Sequence, residues 1–203
     1  MKHFIVDLET LGTDTSAIIT QVGIAEMRLT YDAYVITPLL ACTVDSTQQL
    51  ITGRTFNPDT LSWWTKQLNE EMLIRTAALP RNTVSEVCTN VYDCLDSTLG
   101  KDDVIWANSP SFDLMILEHF LNQYGYKTPW SFRQERDVRT LIYAAEYLLG
   151  KQVNFETRKN AHTAIDDATY HASQIAMCLE TIRAGRCTQP KIHNLGVDPC
   201  GPS

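Results

Sequence analysis

Apolar and polar positions divide the chain into an extended first part and a mostly helical remainder. Residues 3–9, 17–29 and 31–40 are rich in Val, Ile and Tyr and read as three strands, with the turn formers Gly12-Thr13-Asp14 and Thr30-Tyr31-Asp32 between them. Connections this short favour an antiparallel meander, because parallel neighbours need a long crossover. From Pro58 the periodicity changes. Asn57 is placed to cap a helix with Pro58 at its first position, and the pattern predicts helix through Gln67. Asn82 or Thr83 opens the next helix, which runs to about Leu99 and stops at Gly100. Val104–Ala107 reads as a short buried strand, followed by a helix from near Ser109-Pro110-Ser111 to Tyr124 and Gly125. Helices over 138–149, ended by Gly150, and over 163–184 complete the pattern. Residues 186–203, with Pro190, Pro199, Gly201 and Pro202, read as a poorly ordered tail behind one domain over 1–185.

A meander followed by alternating helices and strands describes an α/β domain: a mixed sheet, antiparallel and then parallel, with helices on both faces. The ribonuclease-H-like architecture has that order. With 44% hydrophobic and 20% charged residues among 203, the chain has the make-up of a globule with a substantial core. No apolar run approaches the roughly 20 residues needed to cross a bilayer, and the N-terminus lacks a signal-peptide pattern. A cytoplasmic protein with no membrane partner is expected. Cysteines 42, 88, 94, 178, 187 and 200 form no C-x-x-C pair, so reduced thiols are expected. The net charge of −7 argues against an extended grip on duplex nucleic acid, which leaves a basic footprint, but is compatible with a few nucleotides of single strand.

Candidate chemistry lies in three short segments. Asp7 and Glu9 interrupt an apolar strand and share one face, roughly 6–7 Å apart. Two like charges there are costly unless a cation lies between them, and oxygen ligands suit magnesium or manganese. Asp113 falls where a strand gives way to a helix, a common position for active-site groups; taken alone, it is equally explained by the positive end of a helix. In Ala161-His162-Thr163-Ala164-Ile165-Asp166-Asp167, Thr163 and Asp166 fit a capping-box-like pair. The helix would then start at Thr163, leaving His162 free to bend toward a site and Asp167 in the first turns.

Asp7-x-Glu9, Phe112-Asp113 and His162-x-Ala164-x-x-Asp167 resemble the three motifs of the DEDD exonuclease superfamily, histidine subclass (DEDDh). A finer likeness, to the phage DexA-type exonucleases and related bacterial ribonuclease-T-like 3′ exoribonucleases, rests on four further stretches. These are Asp7-Leu8-Glu9-Thr10-Leu11-Gly12, Ser62-Trp63-Trp64-Thr65-Lys66-Gln67, Trp106-Ala107-Asn108 and Arg136-Asp137-Val138-Arg139-Thr140-Leu141. The resemblance covers about residues 3–180 and implies a two-metal 3′-to-5′ exonuclease on single-stranded 3′ ends, releasing nucleoside 5′-monophosphates. Asp7, Glu9, Asp113 and Asp167 would hold two magnesium or manganese ions, and His162 would be the general base. DNA is slightly favoured over RNA by the DexA-like stretches; the alternative is an exoribonuclease or oligoribonuclease-like enzyme. A nucleotide phosphohydrolase and a non-catalytic nucleic-acid-binding module rank behind these.

Thr10, Leu11, Trp64 and Asn108 are candidate substrate contacts. Trp63 and Trp64 lie about 100° apart on a predicted helix, so either both are partly buried structural rings or one packs inward while the other is free to stack a base. Asp137 is expected to be scaffold, paired with Arg136 and Arg139. His119 and His171 are expected to be structural or exposed, and His3 and His193 are assigned no role. Oligomeric state, including a homodimer, is not readable from the chain.

Overall fold

The computed structural model describes residues 1–30, 33–158 and 162–184. Three strands, β1 (Lys2–Thr10), β2 (Ile19–Leu29) and β3 (Tyr34–Val44), form the antiparallel meander. A short β4 (Arg81–Asn82) adds parallel to β3, while β5 (Val104–Ala107) and β6 (Glu135–Asp137) extend the other side parallel to β1. The sheet order is β4-β3-β2-β1-β5-β6, so β1 is central. Helices α1 (Ser46–Ile51), α2 (Pro58–Gln67), α3 (Glu70–Ala78), α4 (Val84–Asp96), α5 (Asp113–Gln123), α6 (Val138–Leu149) and α7 (Ala164–Ala184) connect and cover it. This is the α/β architecture of the ribonuclease-H-like folds.

Alternation along β1 divides its residues between the two faces. Phe4, Val6 and Leu8 join Val87, Val91 and Leu95 of α4 and Leu114, Leu117 and Phe120 of α5 in one buried layer. Ile5 faces the other way, onto Val138 of α6 and Ala168, Ala172 and Ile175 of α7. Asp7 and Glu9 continue the Ile5 side, so they point into the space beneath the start of α7. Fully buried side chains such as Phe4, Leu117 and Phe120 each contribute about 1.5–3 kcal/mol, which offsets the cost of burying carboxylates beside them.

The seat of α7 depends on a missing side chain. Gly23 pairs with Asp7 across β1 and β2, and a Cβ there would fall 2.3 Å from the carbonyl carbon of Ala164 and 2.4 Å from the Ile165 nitrogen. Only glycine admits that approach. Two residues earlier, Gln21 accepts a hydrogen bond from the Ala164 N–H at 3.3 Å.

Several boundaries differ from the sequence expectation. The third strand continues to Val44 because Pro38, which has no N–H, is absorbed at a register shift opposite Ile24 and Ala25. Residues 109–112 form a turn, and α5 starts at Asp113. Thr83 caps α4 in a capping box with Glu86, but the helix stops at Asp96. The expected Thr163–Asp166 cap is not made. Thr163 Oγ1 is buried with no partner among the described residues, and Asp166 pairs with Arg75 of α3. Sequence periodicity missed α1, α3, β4 and β6, all short. The tail at 186–203 and His193 lie outside the described residues, as do Cys187 and Cys200; Cys42, Cys88, Cys94 and Cys178 are free thiols, pushed up to about 11–12 by burial. No described helix is long and apolar enough to cross a membrane.

Candidate active site

The three candidate segments meet where β1 and β5 end. Asp7, Glu9, Asp113 and Asp167 line one cleft of about 330 Å³ together with Leu8, Asn108, Phe112, Arg139, Arg158 and His171. Asp113 is buried, and its Oδ1 accepts a hydrogen bond from the Leu8 N–H at 3.2 Å. That contact ties the first residue of α5 to the strand bearing Asp7 and Glu9, so the helix dipole is not its only partner.

His162 has a left-handed backbone, φ 67°, uncommon for a residue with a Cβ. Its N–H donates to Asp167 Oδ2 at 3.1 Å, and its ring packs edge-on against Trp63 and Trp64, with centroids 5.0 and 5.9 Å apart. One ligand atom each from Glu9, His162 and Asp167 lie within 4.8 Å of one another. Four of the five motif residues thus share the cleft, and the fifth reaches two of them.

The electrostatics are strained in one direction. Burial, then the charges of Asp113 and Glu9, push the Asp7 carboxyl well above the usual carboxylate range, with Arg158 pulling the other way. Burial drives Glu9 from its ordinary 4.5 to about 8 even though Arg158 opposes it. Asp113 is likewise raised by burial against hydrogen bonds from the backbone N–H groups around it. Glu9 Oε1 is buried with no hydrogen-bond partner among the described residues. Oxygen donors crowded together, reluctant to ionise and partly orphaned, suit a hard divalent cation, which would favour the ionised form of each. The residues fit such a metal.

A second hollow of about 440 Å³ adjoins the first, lined by Leu8, Glu9, Thr10, Gly12, Thr13, Asp59, Thr60, Trp63, Trp64 and Phe112. Asn57 caps α2 as expected, its side chain accepting from Asp59 N–H at 2.7 Å. Trp64 is the inward ring and donates its indole N–H to the Thr10 carbonyl at 2.9 Å, whereas Trp63 is 42% exposed. The Thr10 hydroxyl donates to Gly12 O at 2.7 Å. Asn108 lines the carboxylate cleft. Leu11 does not line either hollow; its backbone is bonded to Ile18 and Asn57.

Two residues of the cleft were not assigned from sequence. His171, expected to be structural or exposed, is buried. Its Nδ1–H donates to Gln174 Oε1 at 2.8 Å, and Nε2 faces Asp7 Oδ1 at 3.6 Å. Burial lowers its pKa, so this is a contact of neutral imidazole rather than an ion pair. The available signal was its spacing: four residues beyond Asp167 puts it on the same helix face. Arg158, which grips Asp167, had no such signal. Asp137 is scaffold as expected, but as the cap of α6, accepting from Arg139 N–H at 3.0 Å and Thr140 Oγ1–H at 2.7 Å rather than through ion pairs. His3 accepts from the Trp106 indole N–H at 3.0 Å, and His119 Nδ1 lies 3.2 Å from the Arg54 guanidinium.

A ribonuclease-H-like sheet carrying this acidic cleft at the end of its central strand defines a nuclease domain of the 3′-to-5′ exonuclease kind. The chain belongs to the 3′-5′ exoribonuclease Rv2179c-like domain family, whose model matches residues 2–179. No curated protein matches it. The family description stands on the RNA side of the choice the sequence left between DNA and RNA.

Proposed function

We propose that this cleft removes nucleotides one at a time from the 3′ end of single-stranded RNA, releasing nucleoside 5′-monophosphates. The observation that carries the reading is the convergence of four carboxylates and an imidazole beside a tryptophan-lined hollow. Asp7, Glu9, Asp113 and Asp167 would hold two magnesium or manganese ions, which when bound stabilise the attacking and leaving oxygens of an in-line displacement. His162 is the general base. Burial and Arg158 lower its pKa, so the ring is neutral near pH 7 and able to take a proton from the attacking water. Its edge-on packing against Trp63 and Trp64 holds the ring in place.

Trp63 offers an exposed ring in the adjoining hollow, where the terminal base would stack. Trp64 acts from behind by fixing Thr10, whose hydroxyl is already committed, so the backbone of that segment is what meets the nucleotide. Asn108 and Arg139, on the wall of the carboxylate cleft, lie on the side of the phosphate.

The test is cleavage of matched 5′-labelled RNA and DNA strands with magnesium, with manganese and with chelator. A metal-dependent ladder shortening from the 3′ end, faster on RNA, is the expected result. Asp7→Ala should leave the circular dichroism spectrum native and abolish the ladder; wild-type turnover in that variant contradicts the mechanism. A faster ladder on DNA returns the substrate to the DexA-like alternative.

A further inference from the structure

Among the described residues, Arg158 alone places a guanidinium on one of the four carboxylates. Its Nε–H donates to Asp167 Oδ1 at 2.7 Å while Nη2 pairs with Oδ2, a forked contact that takes both oxygens. Oδ2 also accepts from the His162 N–H. Three of the roughly four acceptor sites of Asp167 are thus taken by protein donors, and a cation that binds it competes with them. The guanidinium is the donor with somewhere to go. Arg158 lines the carboxylate cleft on one side and a cavity of about 650 Å³ on the other, walled by Ile36, Phe155, Glu156, Tyr170 and Met177. Its guanidinium carbon already lies 5.8 Å from the centre of the Tyr170 ring.

We infer that Arg158 is an internal counter-cation, which neutralises Asp167 in the metal-free protein and moves into the Tyr170 cavity when a divalent ion takes the carboxylate. The inference rests on reading the cleft as a metal site. A guanidinium forked on both oxygens and a divalent ion on the same carboxylate repel at such short range, so the two compete for it. Apparent metal affinity is then reduced by the fraction of molecules in which Arg158 is docked. The cavity supplies compensation for the displaced charge: an aromatic face at Tyr170 and the carboxylate of Glu156.

The test is calorimetric titration of manganese, without nucleic acid, into wild type, R158M and R158K at one pH and ionic strength. R158M should bind manganese about tenfold more tightly than wild type, with R158K between. The direction is informative, since damage to the site would weaken binding. Manganese binding by wild type with equal or weaker affinity in folded R158M overturns the inference alone. No manganese binding by wild type overturns the metal reading and the inference with it. If R158M does not fold, R158Q, which keeps a neutral donor to Asp167, takes its place under the same criteria.

Discussion

Replacing Glu9 by Gln should stabilise the metal-free protein while removing its activity. Glu9 is 8% exposed, and one of its oxygens has no partner among the described residues. Its pKa in the fold is about 8 against an ordinary 4.5. Below pH 4.5 the group is protonated in both folded and unfolded chains and contributes no difference. As pH rises from 4.5 to 8 the unfolded chain ionises first and binds fewer protons, so stability falls across that window and levels off above it. At 1.36 kcal/mol per unit the loss is on the order of 5 kcal/mol at most, and relaxation of the cleft brings it to about 2–4. Glutamine escapes this penalty. In chelator at pH 8.5, Glu9→Gln should therefore melt about 4–16 °C above wild type, at 2–4 °C per kcal/mol for a chain of this size. The gap should close toward pH 5. Magnesium or manganese should raise the wild-type melting temperature and move the variant far less. A variant that melts at or below wild type at pH 8.5, or a gap that does not depend on pH, refutes the account of the carboxylates as unwilling neighbours awaiting a cation.

Three further outcomes follow from the same geometry. His162→Asn, chosen because asparagine tolerates the left-handed backbone, should lower kcat by about 10²–10⁴ and leave manganese binding nearly intact. The acid limb of the wild-type pH–rate profile should lie below 6.5, since burial lowers the imidazole pKa, and it should vanish in the variant. Trp63→Ala should raise KM roughly 5- to 100-fold with little change in melting temperature, as expected for loss of a stacking ring that is already 42% exposed; an unchanged KM would remove Trp63 from the substrate path. Gly23→Ala should cost at least about 1–3 kcal/mol and depress activity, because its Cβ would meet the Ala164 backbone at 2.3 Å, whereas Gly100→Ala, facing only a movable Asp103 side chain at 3.1 Å, should behave like wild type in both assays.

The meander was readable because its three strands are rich in Val, Ile and Tyr and are joined by turn residues, and the long helices because Asn57, Thr83 and Gly150 mark their ends. What escaped was short or cooperative. β4 and β6 have two and three residues, too few for any periodicity, and exist because neighbouring strands offer free edges. Thr163 and Asp166 have the spacing of a cap, but tertiary contact with Arg75 outweighed the local pairing. The motif carboxylates were visible because a buried strand rarely carries two acids. His171 and Arg158 were not, because a basic residue shows its importance only through the acid it faces, and those acids are 164 and nine residues away along the chain for Asp7 and Asp167.

Asp7 and Glu9 belong to the first strand of the sheet and Asp167 to its last helix, about 160 residues later. On a ribosome adding about 5–20 residues per second, the carboxylates of β1 wait many seconds for their partner. Until α7 has emerged and seated itself over Gly23, the nascent chain holds neither Asp167 nor His162. A phosphodiester hydrolase so arranged gains its last carboxylate and its imidazole only when most of the domain has already been made.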